Sequence, residues 1–329
     1  MADFNGKKIH MVGVKGVGMT ALAEILKSEG AEITGSDTAE KFHTDAVLKH
    51  LGIRPLKFSA SNIKRGLDLI IYSSAYPKNH SERQRAKKLR IPQMSYAEAL
   101  SKIFNQKMGI MVAGSHGKTT TTAVLGQILI EAGFDPTIIV GGTVINWGKN
   151  ARIGKSNWML IEGDEYQEKF LNFRPLYLLI TNIDYDHPDT YPDKKSYRRA
   201  FEKLIRQTRI KVFNAETLKP LSRKVLEKFK SKYLLGEHNK KNARLALALS
   251  QELGISDKKI KAAMTKFKGI KRRMEIYLRR KNIIVMDDYA HHPAEISATL
   301  EALKSRWPRH KITVIFQPHT FSRTGALLS

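Results

Sequence analysis

Hydrophobic and polar positions along the chain follow repeated strand–turn–helix units. Residues 7–37 predict a strand, a glycine turn, a helix with apolar side chains at helical spacing, and a second strand. Residues 107–133 repeat this order, with an apolar strand, a second glycine turn and a helix that ends near Gly133. Strands that alternate with helices are typical of parallel sheets covered by helices. The pattern therefore predicts a doubly wound α/β architecture.

Shorter apolar runs extend this architecture. They predict strands at 67–76, 158–165 and 176–184, and helices at 97–104 and 237–254. A third unit follows residue 282, with a strand at 283–289, a helix at 293–304 and a strand at 311–319. Two strands and one helix are too few for an independently stable domain, so we expect the sequence to stop within a domain.

Composition limits the class of protein. A chain of 329 residues exceeds what one hydrophobic core usually supports, so we expect two or three domains. The absence of cysteine excludes disulfides and thiolate chemistry, and it agrees with the cytoplasmic location that we expect. The first residues lack the charged-then-apolar pattern of a secretory signal, and the apolar runs are too short to span a bilayer.

The charge balance is strongly basic. There are 57 Lys and Arg against 31 Asp and Glu, a net charge of +26, which suggests an anionic partner. The basic clusters at 87–90, 194–199, 226–232 and 238–244 fall in segments with the pattern of amphipathic helices. No aromatic residues alternate with them to stack on bases. Small anionic substrates therefore explain the charge better than a nucleic acid does.

The first glycine turn, GVKGVG at 13–18, follows a strand and opens a helix. Backbone N–H groups and the helix dipole can hold a phosphate at such a place. Its spacing differs from the G-x-G-x-x-G of dinucleotide binders, although Asp37 lies where a ribose-binding acid is expected. The glycines could alternatively serve only a tight turn and close helix packing. If a ligand binds, a diphosphate other than NAD is favoured.

The second glycine turn, GSHGKTTTT at 114–122, is more specific for nucleotide phosphates. Gly114 and Gly117 allow the backbone to curve around phosphate oxygens, Lys118 supplies a positive charge, and the Thr119 hydroxyl can bind Mg²⁺. Val112 stands where a standard P-loop has its first glycine. Hydrolases, kinases and ligases can all begin with such a loop.

Acidic residues follow the next strands, where open α/β sheets place their ligands. EGDE offers Glu162, Asp164 and Glu165, and a carboxylate here could complete a Mg²⁺ site with Thr119. TNIDYDHPD offers Asn182, Asp184, Asp186 and His187, although Asp184, Asp189 and Asp193 could equally cap a helix. DDYAHHP, at 287–293, could contact a nucleotide or cap a strand end.

In this order the motifs resemble those of the Mur ligase family. The similarity covers nearly the whole chain, through HMVGVKGVGMTALAEIL, GSD, YSSA, GSHGKTTTT, NARIG, EGDEYQEKF, TNIDYDHPDTY, GEHNKKNA, KRRME, DDYAHHPAE and FQPHTFSRT. It implies an N-terminal Rossmann-like UDP-binding domain at 1–106, a central P-loop ATPase-like doubly wound domain at 107–273, and an incomplete C-terminal α/β domain at 274–329 that binds the amino acid.

The resemblance also implies a reaction. ATP phosphorylates the lactyl carboxylate of UDP-N-acetylmuramate, and the amine of an amino acid, expected to be L-alanine, attacks the acyl phosphate. This is a step of peptidoglycan precursor synthesis that uses ATP and Mg²⁺. Small molecules would be the partners, with no nucleic acid and no membrane.

Residue roles follow from the same resemblance. Catalysis would depend on Lys118, Glu162 and His187, with Thr119 and Glu162 on one Mg²⁺ and His187 on a second metal. The ATP-binding residues would be Gly114, Ser115, His116, Gly117, Lys118, Thr119, Thr120, His238, Asn239, Asn242, Arg273, Asp288 and His291. The UDP-sugar-binding residues would be Gly13, Lys15, Gly16, Val17, Gly18, Ser36, Asp37, Ser73 and Ser74.

Two departures from the family pattern leave alternatives open. The segment 192–236 is shorter than usual, and the third domain ends soon after FSRT. ATP and the UDP-sugar could therefore bind while ligation fails, unless a second chain supplies the missing region. A non-catalytic or split-enzyme binding module is thus the alternative to a ligase, and a nucleic-acid-binding ATPase is a third reading. The intact Lys118, Thr119, Glu162 and His187 favour the enzyme.

Overall fold

The computed structural model describes residues 4–218, 231 and 233–318. Contacts between Cα atoms divide the chain into two compact units, Met1–Lys107 and Met108–Ser329. Each unit contains its own sheet and its own glycine loop.

The first unit is a five-stranded sheet in which every strand pair is parallel. Its strand order is β3-β2-β1-β4-β5. The strands are β1 (Lys8–Val12), β2 (Glu32–Asp37), β3 (Leu56–Lys57), β4 (Leu69–Tyr72) and β5 (Gln93–Ser95). The helices are α1 (Val17–Ser28), α2 (Asp45–His50), α3 (Ser81–Lys88) and α4 (Tyr96–Phe104). The chain places β2 and β3 on one side of β1 and β4 and β5 on the other side, and β1 leads into the first glycine loop.

The second unit has a six-stranded sheet of order β11-β10-β6-β9-β7-β8. All pairs are parallel except β7–β8, so the doubly wound α/β prediction is confirmed in both units. Its strands are β6 (Met108–Ala113), β7 (Thr137–Val144), β8 (Lys149–Arg152), β9 (Trp158–Glu162), β10 (Tyr177–Ile180) and β11 (Lys211–Asn214). The helices are α5 (Lys118–Glu131), α6 (Asp193-capped, Lys194–Gln207), α7 (Gly236–Glu252) and α8 (Asp257–Lys266).

Helix α5, which follows the second glycine loop, is the centre of this unit. Residues Thr119–Leu129 are all buried, and the helix packs against α7 and α8. Leu125 and Ile128 have no solvent exposure and belong to the core formed by the sheet and these helices. The loop is therefore anchored at its helical end by a closely packed core.

The last described segment contains a two-stranded antiparallel sheet, β12 (Glu275–Arg279) and β13 (Ile284–Asp287), and helix α9 (Pro293–Arg306). The strand predicted at 311–319 is wrong over residues 311–318, which form no strand. Ile315 is 99% exposed, and a strand needs a neighbour for its backbone hydrogen bonds. Residues 319–324 of FQPHTFSRT and most of the predicted helix at 226–232 lie outside the described residues.

Across the described ranges, none of the helices combines the length and the apolar character needed to cross a membrane.

We expect Leu125→Ala to lower the free energy of unfolding by about 3 kcal/mol, because it leaves a cavity under the loop helix. Lys258→Ala, at an exposed position of α8, should change it by less than about 0.5 kcal/mol. Urea unfolding of both variants measures the difference. Equal free energies of unfolding for the two variants would contradict the central packing of α5.

Candidate active site

The second glycine loop joins β6 to α5 through two glycines with left-handed backbone angles. Gly114 has a φ of +136° and Gly117, the N-cap of α5, a φ of +82°. A Cβ at Gly117 would lie 2.3 Å from Oδ1 of Asn242 on α7. Glycine is therefore required here by the backbone angle and by the close approach of another helix.

Neighbouring loops hold the backbone of this turn. The amide of His116 donates to Oδ1 of Asn182 at 3.0 Å, and Nδ2 of Asn182 donates to the His116 carbonyl at 2.9 Å. The Ser115 hydroxyl lies 2.8 Å from the hydroxyl of Tyr197, which is buried on α6. Asn182 was among the polar residues predicted after β10, without a role, and Tyr197 was not predicted at this site.

Lys118 is partly buried and forms an ion pair with the buried Glu165. Its Nζ lies 2.9 and 2.8 Å from the two carboxylate oxygens, and it also donates to the carbonyls of Gly114 and Ser115. Burial alone would lower the pKa of Lys118, but the Glu165 carboxylate outweighs it and the pKa is raised. Lys118 therefore stays an ammonium ion across the physiological range.

Glu165 also binds His187, which follows β10. The distance from Nε2 of His187 to Oε1 of Glu165 is 3.3 Å. Burial favours the protonated form of Glu165, but Lys118 and His187 together hold the pKa of its carboxyl below the usual value. His187 has a φ of +58°, a strained value of the kind that collects at functional sites. The motif EGDE had offered Glu165 as a possible carboxylate for Mg²⁺, but its contact with Lys118 was not predicted.

Thr119 and Glu162 lie together at the start of α5. The Thr119 hydroxyl donates to Oε2 of Glu162 at 3.0 Å, and the amide of Gly141 donates to Oε1. Burial raises the pKa of Glu162, because it disfavours the charged carboxylate. A positive charge beside Glu162 would therefore stabilise the ionised form of this side chain.

These two oxygen donors suit Mg²⁺, which prefers oxygen and usually keeps several positions for water and phosphate. The described residues contain no group of three or more His, Cys, Asp or Glu that could hold a metal by themselves. The structure thus brings the predicted metal-binding residues Thr119 and Glu162 into contact, and it places His187 against Glu165.

A cavity of about 400 Å³ opens beside the loop. This volume lies in the range of small-molecule sites. The predicted ATP residues that line it are His116, Gly117, Thr120, His238, Asn239, Asn242, Arg273 and Asp288. Burial lowers the pKa of His238, which keeps this side chain neutral. His291 is not part of the lining and instead contacts Glu295.

Glu295, in the first turn of α9, lines the same cavity and was not predicted. Its Oε1 lies 3.1 Å from Nδ1 of His116 and 4.0 Å from the guanidinium of Arg273. The backbone amide of His291 donates to Oε2 at 3.3 Å. Burial opposes ionisation, but His116, Arg273 and His291 hold the pKa of Glu295 far below its usual value. No sequence pattern indicated this contact between residues 179 positions apart.

The first glycine loop lies in the other unit and is shaped by aromatic rings. Gly13 has a φ of +83°, and a Cβ there would lie 2.3 Å from the ring of Tyr76. A Cβ at Gly18 would lie 2.9 Å from the ring of Tyr96. Close packing therefore accounts for these two glycines without any ligand.

Asp37 organises the backbone of this loop. It accepts from the amide of Lys15 at 2.7 Å and from the hydroxyl of Tyr76 at 3.3 Å. Burial and then the Asp37 charge raise the pKa of Tyr76 to about 12. The Lys15 ammonium donates to the carbonyls of Thr38 and Glu40, at 3.0 and 2.7 Å.

The predicted serines differ in exposure. Ser36 is fully buried and its hydroxyl donates to Glu82 at 2.5 Å, with His10 3.2 Å away. Ser73 is partly buried and Ser74 is exposed. Ser36 thus lies in the interior of the first unit, whereas Ser73 and Ser74 are accessible to solvent.

Family models match the chain in three consecutive segments. The Mur ligase family catalytic domain matches residues 8–108, the Mur ligase middle domain 112–278, and the Mur ligase glutamate ligase domain 272–329. The three matched segments follow one another along nearly the whole chain. The chain therefore belongs to the Mur ligase family.

Several relatives of the chain are named as ligases that join UDP-N-acetylmuramate and L-alanine. The UDP-N-acetylmuramate–L-alanine ligase of Desulfitobacterium hafniense is 39% identical over 97% of this chain and 80% of its own length. The ligase of the same name from Clostridium kluyveri is 40% identical over 99% of this chain and 80% of its own length. The crystal structure of the UDP-N-acetylmuramate-alanine ligase of Thermotoga maritima is similar with a TM-score of 0.80 and 31% identity, covering 97% of this chain and 83% of that one.

We expect Gly117→Ala to destabilise the protein by about 3 kcal/mol, through left-handed strain and the clash with Asn242. Gly148→Ala is the matched control, because Gly148 has a φ of +68° but no atom within 4 Å of its Cβ position. That variant should lose only about 1 kcal/mol. Urea unfolding separates the two, and a Gly117→Ala/Asn242→Ala double variant should recover stability. No recovery would contradict the clash.

Proposed function

We propose that the chain is an ATP-dependent ligase of peptidoglycan precursor synthesis, which joins the carboxylate of UDP-N-acetylmuramate to the amine of L-alanine. The observation that carries this proposal is the glycine loop with its partly buried Lys118, placed beside a cavity of nucleotide size and a pair of oxygen donors. The named activity of relatives 39% and 40% identical supports it.

The cavity beside the loop would hold ATP. Asn239, Asn242 and His238 on α7 would surround the adenosine, with Arg273 and Asp288 contributing from the last segment. The loop residues Gly114 to Thr120 would follow the phosphates, because backbone N–H groups at the start of α5 point toward negative charge. The γ-phosphate would then lie near Lys118.

Lys118 has to change partners when ATP binds. Its ammonium is held by Glu165 and by loop carbonyls, so a phosphate oxygen would replace some of these contacts. Glu165 keeps the lysine protonated and correctly placed until then. The charge of Lys118 would stabilise the negative charge that spreads over the transferring phosphoryl group.

Thr119 and Glu162 would hold the Mg²⁺ that accompanies ATP. When bound there, the ion would supply positive charge that offsets the charge of the phosphates. His187 would join a second metal, as the family resemblance implies, after leaving Glu165.

The chemistry has two steps that balance. A lactyl carboxylate oxygen attacks the γ-phosphorus, the bond from phosphorus to the bridging oxygen breaks, and ADP leaves. The amine of L-alanine then attacks the acyl carbon, phosphate leaves, and the nitrogen loses a proton. Phosphorylation is required because a carboxylate is a poor acyl donor, and the protein contributes mainly position and charge.

The first glycine loop would bind the UDP diphosphate through Gly13, Lys15, Gly16, Val17 and Gly18. Asp37, Ser73 and Ser74 would approach the uridine sugar. Ser36 would support this part of the site from the interior, because its buried hydroxyl already donates to Glu82. A cytoplasmic location and a second chain among the partners stay predictions.

We expect phosphate release from Mg-ATP to require UDP-N-acetylmuramate and to rise when L-alanine is added. Lys118→Ala should lose at least about a hundredfold in rate, since it removes charge from the transferring phosphoryl group. Lys258→Ala should retain the rate. Binding of both nucleotides without turnover would instead support the non-catalytic or split-enzyme module, and DNA-stimulated release would support a nucleic-acid-dependent ATPase.

Asp37→Asn should weaken UDP-N-acetylmuramate binding about tenfold, because the amide cannot accept all the hydrogen bonds that order the loop. Glu32→Gln, an exposed change at the other end of β2, is the control. Calorimetry with UDP-N-acetylmuramate and, separately, with a non-hydrolysable ATP analogue measures both sites. An equal loss for the ATP analogue would show a general folding defect.

A further inference from the structure

We propose that Glu295 is a positioning residue for the nucleotide, which orients His116 of the glycine loop and Arg273 at the cavity. The inference rests on the proposed use of this cavity for ATP. Glu295 stands at the end of the motif DDYAHHPAE but has no place among the family roles above, and its contacts link α9 to the glycine loop.

The burial of Glu295 requires partners. Its side chain is 14% exposed, as is that of His116, and a carboxylate at this depth is unfavourable unless paired. The structure supplies His116 at 3.1 Å, Arg273 at 4.0 Å and the His291 amide at 3.3 Å. Two of these partners, His116 and Arg273, line the cavity.

This contact determines the proton position on His116. An ionised carboxylate only accepts hydrogen bonds, so Nδ1 of His116 carries a proton toward Glu295. Nε2 of His116 is buried and has no hydrogen-bond partner among the described residues. Glu295 thus satisfies one ring nitrogen of His116, and the described residues leave the other without a partner beside the cavity.

The same carboxylate contacts two cavity residues that come from different segments. Arg273 reaches Glu295 from the segment before β12, while His116 reaches it from the loop between β6 and α5. The ring of His292, the N-cap of α9, also packs against that of His116 in a tilted arrangement, with ring centroids 4.5 Å apart. Removing the charge of Glu295 would release both cavity residues at once.

Calorimetry with ADP and with β,γ-methylene ATP tests this inference. Glu295→Gln should weaken binding about tenfold, the usual effect of losing a charge-assisted hydrogen bond. His116→Ala should weaken it by a similar factor, and the double variant should be no weaker than the weaker single variant, since both act through one contact. Glu301→Gln, an exposed acid on the same helix, should bind within about twofold of wild type.

Wild-type affinity in Glu295→Gln would overturn the inference. So would additive losses, near a hundredfold in the double variant, because the residues would then act independently. Circular dichroism and melting without ligand show whether each variant is folded. If Glu295→Gln does not fold, Glu295→Asp replaces it, and unchanged ADP affinity in that shorter acid would contradict the positioning role.

The outcome is separable from the proposed function. UDP-N-acetylmuramate binding, measured on the same samples, should not change in Glu295→Gln. If the wild-type protein failed to bind UDP-N-acetylmuramate, the ligase proposal would fail, while the ADP measurements would still decide the role of Glu295.

Discussion

The ion pair between Lys118 and the buried Glu165 is the interaction on which the candidate site depends. Lys118 follows β6, Glu165 follows β9, and His187, the other partner of Glu165, follows β10. These strands are neighbours in the order β10-β6-β9, so three loops meet at the carboxyl edge of one sheet. Removing one partner of a buried pair costs roughly 3–5 kcal/mol, because the other charge stays buried. The pair therefore holds the glycine loop in place and keeps its lysine charged.

Much of this architecture could be predicted from the sequence, because it depends on local patterns. The two strand–glycine–helix units, the helix at 97–104 and the helix at 237–254 correspond to α1, α4, α5 and α7. Asp193 caps α6, which confirms the capping alternative for that residue. The strand at 311–319 was wrong over its described part, since apolar alternation alone does not supply a neighbouring strand.

The residues that the sequence did not reveal are those that act over long distances. Glu295 meets His116 across 179 positions, and Tyr197 meets Ser115 across 82. Helical periodicity places both on their helices but does not say which loop lies opposite. Conversely, Gly13 and Gly18 matched a phosphate loop, and the structure shows that Tyr76 and Tyr96 also require glycine there.

The roles assigned to the UDP-sugar and ATP residues stay predictions. The alignment with the Desulfitobacterium relative spans 361 positions, more than the 329 residues of this chain, so that relative has residues that this chain lacks.

The most direct test of the central claim is the fate of the carboxylate oxygen. UDP-N-acetylmuramate labelled with ¹⁸O in its lactyl carboxylate would be incubated with the protein, Mg-ATP and L-alanine, and the released phosphate analysed by mass spectrometry. The account predicts one ¹⁸O atom in each phosphate, because the carboxylate oxygen stays bound to phosphorus when the amine displaces it. Unlabelled phosphate would show that water, and not the carboxylate, receives the phosphoryl group, and would contradict the assignment as a ligase.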